Sequence, residues 1–375
     1  MKLRRLLVDR IQVPLVKPYR LSRVYGTLCN ADALIVRLET DTGLVGIGEA
    51  DPQPPFTEET TGGVVAALRD FAWPAIRGEA CGEIAAIMDR LDETLPGNTM
   101  AKGAIDMALH DLLGKALGVP VSRIMGGARR ATLPVLWPLG DGTAEEDIPI
   151  MEPRREQGFG TFMLKMGAGS VAADIKRVRA LSEYYGEGVK LIPDANQGWT
   201  RSDAMRFARA TADVPLVMIE QPTHRSDPEA LGLVRRVAGA PISADESVQS
   251  FGDAKQLVAA EAVDVFSIKV SKNGGLTGSR RIAELARSHG IRCYMNSMIE
   301  FGVSQAASLQ LAVTLPNLVD AGHAYMSTLR LEDDVTNFSE FVGAGEVNLP
   351  DAPGLGVSLS EEKLERYGVG HERFD

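Results

Sequence analysis

Cysteine is scarce in this chain, and Cys29, Cys81 and Cys293 are far apart, odd in number and form no CxxC pair. That usage excludes a disulfide framework and a thiolate metal site, and it fits a reducing cytoplasm. Long apolar runs are missing too. No stretch of about 18 or more uninterrupted apolar residues occurs, so no helical membrane span is expected. The opening MKLRRLLVDRIQVPL is interrupted by Asp9 and Arg10, which reads as a first strand and not as a secretion signal. Basic residues are in deficit, 40 against 50 acidic, and no basic run or stripe offsets the net charge of -10. This argues against a nucleic-acid partner. It leaves room for an anionic substrate, because a bound cation and a few lysines can dominate a local field. Low-complexity tracts are absent.

What is present is ordinary globular material, 45% hydrophobic and 24% charged. A length of 375 residues is too great for one small core and suits one barrel plus a smaller domain. Residues 1 to about 50 read as strands, with the runs from Ala33 and from Gly43 flanking a Thr-Asp-Thr-Gly turn. Residues 57–72, 82–94 and 98–117 carry apolar residues at helical spacing, the last stopping at Gly118 before Pro120. Strands followed by helices predict an α+β domain over residues 1–127, closed by Gly126-Gly127.

From about residue 132 the texture changes. Short apolar runs recur, each succeeded by a loop and an amphipathic segment. They begin at Leu133, Thr161, Val189, Leu216, Ile242, Val263, Ile291 and Leu318. Eight strand candidates with helical crossovers predict a (β/α)8 barrel, an α/β fold, over residues 128–330. The Gly-rich, polar segment 331–375 is expected to pack back on the first domain.

The chemistry lies at the ends of these runs. Lys165 ends the second, Asp194 the third, Glu220 the fourth, Asp245 the fifth and Lys269 the sixth, in steps of 29, 26, 25 and 24 residues. Each step is one βα unit, so five ionisable residues occupy equivalent places on consecutive strands. In a barrel those places form the C-terminal mouth. Three carboxylates converging there would repel one another unless a hard cation lay between them. Oxygen ligands without nearby His or Cys favour Mg2+, with Mn2+ as the alternative, over zinc. A lysine that is partly desolvated beside such a cation has its pKa lowered and can act as a base near neutral pH.

At these residues the sequence resembles the enolase superfamily and, within it, the muconate lactonizing enzyme subgroup. The resemblance covers nearly the whole chain. It is carried by Ala104-Ile-Asp-Met-Ala-Leu-His-Asp-Leu-Leu-Gly-Lys-Ala-Leu-Gly-Val-Pro, Leu191-Ile-Pro-Asp-Ala-Asn-Gln-Gly-Trp, Ile219-Glu-Gln-Pro, Ala244-Asp-Glu-Ser and Ile268-Lys-Val-Ser-Lys-Asn-Gly-Gly. It implies that Asp194, Glu220 and Asp245 are metal ligands and that Lys165 and Lys269 are the acid/base pair, a chemistry general in that superfamily. It also implies a homo-oligomer, and places Glu300 near the substrate after the seventh strand. The mandelate racemase subgroup would carry a His there, where this chain has Tyr294-Met-Asn-Ser. The resembled subgroup carries Lys-x-Lys at the second strand; here the stretch is Met163-Leu-Lys165. Alternation puts Met163 on the face of Lys165, where it desolvates without donating.

Other positions keep two readings at this point. Asn196 either orders the metal shell or completes a turn, and Lys272 is either a second support or a loop cation. Trp137 either stacks on a substrate or a cationic nitrogen, or fills the barrel top. The resemblance implies a first domain closing over the mouth, with Tyr19, Tyr25 and the Pro-rich loop 51–56 as candidate contacts, the loop being equally readable as a rigid connector. Asp320-Ala-Gly lacks the second acid of the Asp-x-Asp that amino-acid-derivative epimerases of the subgroup show, which argues against a dipeptide substrate, while Asp320 itself remains a candidate contact. His110, His289, His224 and His371 are expected to be structural or surface residues, and His323 either reaches the mouth or is structural. The activity so implied is an isomerase, a racemase, epimerase or cycloisomerase, acting on a small carboxylate through an enediolate. A dehydratase using the same proton abstraction is the alternative, and a non-catalytic binding relative the third.

Overall fold

The computed structural model describes residues 1–375. The chain opens with three long antiparallel strands, β1 (Leu3–Arg20), β2 (Thr27–Thr40) and β3 (Val45–Ala50). Strands β2 and β3 form the hairpin read from the sequence, with Leu38 opposite Gly46. Gly43, at φ 82°, turns the chain where a side chain would be strained. Five helices come next: α1 (Thr61–Ala67), α2 (Trp73–Ile76), α3 (Ile84–Thr94), α4 (Thr99–Leu117) and α5 (Val121–Ile124). One π turn, Leu68–Ala72, joins α1 to α2, so the segment expected to be a single helix is nearly that.

Helix α4 is buried along almost its whole length because it is wedged between strand β3 and the barrel. The contact with β3 needs glycine. A Cβ on Gly48 would lie 1.9 Å from the carbonyl oxygen of Ala104, and one on Gly46 2.2 Å from that of Ala108. The two acids on this helix serve its neighbours. Asp106 accepts hydrogen bonds from the backbone and hydroxyl of Thr277 at 3.0 and 2.5 Å. Asp111 accepts from the backbone of Ile47 at 2.9 Å and of Leu355 at 2.8 Å.

Strand β4 (Thr132–Pro134) leads into the barrel, which runs β5 (Leu136–Leu139), α6 (Ala144–Glu156), β6 (Thr161–Lys165), α7 (Val171–Tyr185), β7 (Lys190–Asp194), α8 (Arg201–Ala210), β8 (Ile219–Glu220), α9 (Pro228–Arg235), β9 (Ile242–Ala244), α10 (Phe251–Ala259), β10 (Val265–Ile268), α11 (Gly275–Ser288), β11 (Arg292–Met295) and α12 (Gly302–Ala312). Strands β5 to β11 form one parallel sheet in sequence order. The eighth place is filled irregularly. Leu318 bridges to Cys293 and His323 to Val135, both in parallel sense, so residues 318–323 close the ring between β11 and β5 without a regular ladder.

The chain ends with the hairpin β12 (Val342–Gly343) and β13 (Glu346–Asn348), whose second strand pairs with β4. Then come α13 (Glu361–Tyr367) and β14 (Gly368–Phe374), which pairs antiparallel with β1. Gly48→Ala forces a methyl onto a main-chain carbonyl that cannot move without displacing α4. It is expected to destabilise the protein by about 1–3 kcal/mol or more, read as a lower urea midpoint. An unchanged midpoint would show that α4 is not held this tightly.

Candidate active site

Parallel pairing turns the spaced residues into one row. Lys165 at the end of β6 is in register with Asp194 at the end of β7, and Asp194 with Glu220 at the end of β8. Asp245 directly succeeds β9 and Lys269 directly succeeds β10. All five are buried. Lys165 Nζ donates to Asp194 Oδ2. Lys269 Nζ lies 2.7 Å from Asp245 Oδ2. Lys272 Nζ donates to Asp245 Oδ1 at 2.9 Å and to its main-chain carbonyl at 2.6 Å, which makes Lys272 a support of the row and not a loop cation. Glu220 Oε1 accepts from Asn296 Nδ2 at 2.6 Å and from Ser267 Oγ at 3.0 Å.

The charges shift one another. Burial pushes the Glu220 carboxyl well above the usual range, and the neighbouring Asp194 and Asp245 push it further. At Asp245 burial also opposes ionisation, but the ammonium groups of Lys269 and Lys272 win and hold it at about 2. At Lys165 burial favours the neutral amine, yet contact with Asp194 keeps its pKa above the ordinary lysine value. The lowered pKa expected from the sequence belongs to a lysine beside a bound cation, and the neighbour that sets the shift here is the Asp194 carboxylate.

Buried oxygens without a hydrogen-bond donor cluster in the same place: Glu220 Oε2, Asp245 Oδ2, Glu246 Oε2 and Asn196 Oδ1. The close approach of Lys269 to Asp245 Oδ2 is thus electrostatic and off the hydrogen-bonding direction. Bare acceptor oxygens of this kind suit a hard cation. As the side chains stand, no three acids close on one point, because the lysine ammonium groups engage Asp194 and Asp245. Asn196 has a left-handed backbone (φ 41°) and is confined to neither role alone. Its N–H donates to Asp194 Oδ1 at 2.9 Å, completing a turn, and its amide reaches Glu246 at 3.3 Å.

Over the row lies a cavity walled by Lys165, Lys269, Met163 and Asn196 from the barrel and by Tyr19 and Tyr25 from the first domain. The Pro-rich loop contributes Phe56, whose ring centre is 4.1 Å from Lys269 Nζ. Tyr25 OH donates to Glu246 Oε1 at 3.0 Å, tying cap to barrel beside the acids.

Three expected contacts do not face this cavity. Trp137 alternates to the opposite side from Leu136 and Pro138, which do line it. Its ring packs edge-on to Phe159 and lies 3.5 Å beneath the Arg154 guanidinium of α6. Asp320 is exposed, and its carbonyl accepts from Lys190 at the start of β7, the far end from the mouth. The irregular eighth segment reaches the mouth later, at Ala324 and Met326. Glu300 points behind the wall. It accepts from Ser297 Oγ at 2.6 Å, Gln305 Nε2 at 2.6 Å and the Met298 N–H. It thereby holds the loop in which Ser297, Met298 and Ile299 face the cavity, with Ile299 at a left-handed φ of 68°.

His323 is structural. Its Nδ1 accepts the Met295 N–H at 3.1 Å, and burial holds its pKa down at about 3. His110 and His289 bond to main-chain carbonyls of their own helices, and His224 and His371 lie at the surface beside Ser226 and Asp9. Sequence reasoning missed Asn296, although it succeeds β11 as Lys269 succeeds β10 and continues the row at the next strand. It also missed Glu246, which sits in the quoted Ala-Asp-Glu-Ser, and Arg330, which no spacing rule points to.

A closed β/α barrel under an α+β cap, with acids and lysines at consecutive strand ends, defines a capped-barrel enzyme of the enolase type. Residues 150–363 match the family described as "Enolase C-terminal domain-like", and residues 6–126 match the "Mandelate racemase / muconate lactonizing enzyme, N-terminal domain"; the chain belongs to this family within the enolase superfamily. It is 33% identical over 359 residues to L-Ala-D/L-Glu epimerase of Bacillus subtilis (strain 168), covering 95% of this chain and 97% of that protein. It is also 33% identical over 373 residues to muconate cycloisomerase 1 of Pseudomonas putida, covering 96% and 98%. Among solved structures, the N-succinyl Arg/Lys racemase from Bacillus cereus ATCC 14579 superposes with a TM-score of 0.95 at 28% identity over all of both chains. The protein is an isomerase of this superfamily, whose members of this type use a divalent metal.

Burial raises the Glu300 carboxyl from an ordinary 4.5 to about 7, with Asp51 adding to the shift. Between those values the folded protein keeps a proton that the unfolded chain releases. Stability from this group is therefore full below pH 4.5 and falls as the pH rises to about 7. Glu300→Gln is expected to flatten that part of the stability curve by up to about 3 kcal/mol, measured by urea unfolding across the range. A variant curve parallel to the wild type would show that Glu300 does not titrate in this way.

Proposed function

We propose that the enzyme is an Mg2+-dependent racemase, epimerase or cycloisomerase that removes the proton α to the carboxylate of a small molecule. The observation that carries this reading is the presence of Lys165 and Lys269, from the second and sixth barrel strands, on the wall of one cavity with the acid row between them. In this reading Asp194, Glu220 and Asp245 hold the divalent ion, Mg2+ in preference to Mn2+, Glu220 and Asp245 through oxygens that lack donors and Asp194 through the oxygen that Lys165 now engages. The bound ion would supply positive charge against the negative charge that develops on the substrate carboxylate.

Lys165 and Lys269 flank the α-carbon. One amine takes the proton and the other returns it to the opposite face, which inverts the centre. In a cycloisomerisation one lysine moves the proton and the other stabilises charge. Lys272 fixes the orientation of Asp245 through two hydrogen bonds. Tyr19, Tyr25 and Met163 line the cavity, where they would limit the access of water to the reacting carbon. The same reading makes the protein a cytoplasmic homo-oligomer without nucleic-acid or membrane partners; no helix is long and apolar enough to cross a membrane.

Two measurements test the roles. In deuterated buffer with a panel of N-acyl amino acids, muconates and hydroxy acids, the wild type should place deuterium at the α-carbon or give a lactone. Lys165→Ala should lower that rate by about 100- to 10,000-fold, and normal turnover in the variant would remove Lys165 as the base. A product formed by loss of water would replace the isomerase reading with a dehydratase. Separately, Glu220→Gln should weaken Mg2+ binding in calorimetry by on the order of tenfold or more. Equal affinity in both proteins would end the ligand assignment.

A further inference from the structure

The three acids of the row share one arrangement: in each, a donor fixed in the fold holds one carboxylate oxygen. Asp194 Oδ1 accepts the Asn196 N–H at 2.9 Å, and Asp245 Oδ1 accepts from Lys272 Nζ at 2.9 Å. Glu220 Oε1 accepts twice, from Asn296 Nδ2 at 2.6 Å and from Ser267 Oγ at 3.0 Å. The other oxygen of each acid is treated differently. Asp194 Oδ2 meets the Lys165 ammonium, while Glu220 Oε2 and Asp245 Oδ2 are buried without any hydrogen bond.

Glu220 is the acid whose held oxygen depends on neutral side chains, and Asn296 is their anchor. It directly succeeds β11, and its N–H donates to the Ile268 carbonyl at 2.8 Å. Its Oδ1 accepts the Ser297 N–H at 2.8 Å, which fixes the two ends of the amide. Its Nδ2 then donates to Ser267 Oγ at 2.8 Å as well as to Glu220. Ser267 lies on β10, on the same face as Lys269 and one layer deeper. Because the amide nitrogen can only donate, the Ser267 hydroxyl accepts from it and keeps its own hydrogen for Glu220. Both hydrogens land on Oε1, and Oε2 is left bare.

One free oxygen per acid suits one kind of ion. Three protein oxygens fill half of an octahedral shell and leave the rest to water and substrate, as Mg2+ requires. Ca2+ takes about six to eight oxygens and favours carboxylates that supply both of theirs. With Oε1 committed to two donors, Glu220 has no second oxygen to give.

We propose that Asn296, acting with Ser267 on Glu220, is a positioning residue that limits Glu220 to one ligand oxygen and so makes the site select Mg2+ over Ca2+. This rests on the reading of Glu220 as a metal ligand and is independent of which carboxylate the enzyme transforms.

The test reads metal binding and needs no turnover. Calorimetry on the full chain, freed of metal with EDTA, gives the affinities for MgCl2 and CaCl2 of the wild type, Asn296→Ala, Ser267→Ala and Ser267→Thr. The wild type is expected to bind Mg2+ more tightly than Ca2+. Asn296→Ala should lower that preference by on the order of tenfold to a hundredfold, with Mg2+ weakened and Ca2+ kept or strengthened. Ser267→Ala should move the ratio the same way, and Ser267→Thr, which keeps the hydroxyl, should hold it at the wild-type value. The proposal is overturned by a wild type without preference, or by a ratio unchanged in Asn296→Ala and Ser267→Ala. Equal weakening of both ions overturns it too, since that marks an asparagine that only supports the loop at Ser297. If Asn296→Ala does not fold, the two Ser267 variants decide the question. A Glu220→Gln protein that binds both ions as the wild type does removes the ligand reading and this proposal with it. Weakened binding in Glu220→Gln beside an unchanged ratio in the other variants removes the role of Asn296 alone.

Discussion

Negative charge buried at the barrel mouth is the constraint on which the site depends. Glu220, Asp194 and Asp245 stand at adjacent strand ends with almost no access to water, and carboxylates so placed cannot all stay ionised unaided. The protein answers with lysines. Two of them grip Asp245 and one grips Asp194, while Glu220, which has only neutral donors, bears the strongest pressure toward protonation. In the proposed reading the site is balanced between two neutralising agents, its own ammonium groups and a bound divalent cation. On that reading, competition between them would set whether the lysines are engaged with acids or available to a substrate.

The cap belongs to this balance and does more than cover it. Glu49 of β3 accepts the Phe301 and Ser304 N–H groups at the start of α12, at 2.7 and 2.8 Å, so a cap carboxylate sits on the positive end of a barrel helix. Asp51 accepts from Ser304 Oγ, and its N–H donates to Ser271, two residues beyond Lys269. Arg225, after β8, donates to the carbonyls of Pro55 and Phe56. Phe56, set against Lys269, is therefore placed by barrel residues as much as by the cap.

The acid–lysine row is legible in the sequence because strand ends recur at one βα spacing, and regular pairing converts spacing into adjacency. Where regularity fails, legibility fails. Asp320 reads as a mouth residue because the run from Leu318 reads as a strand. That segment has isolated bridges and no ladder, so it reaches the mouth several residues later than alternation suggests. Trp137 is ambiguous until Pro138 and Leu136 are seen to take the inner face. Glu300 carries a family expectation, but the loop around it folds the carboxylate behind the wall. Arg330 comes from a stretch with no periodicity, and it lies over the ring of Tyr19, far away in the chain. The charge state of Lys165 escapes the sequence for a related reason: adjacency to Asp194 is clear, but which of two partners the carboxylate takes is not written in spacing.

Helix α4 touches β3 through glycines on one side and meets α11 through Gly103 on the other, where a Cβ would come within 2.8 Å of the Gly275 N. Backbone packed directly on backbone at both faces has no side chains to slide or repack. The cap and the barrel are consequently joined along this seam by main-chain packing with no side chain between them at Gly48 and Gly103. The parts of the cap that line the chamber are the short segments around Tyr25 and Phe56, and because Phe56 covers Lys269 a change there reaches the lysine as well as the space beside it.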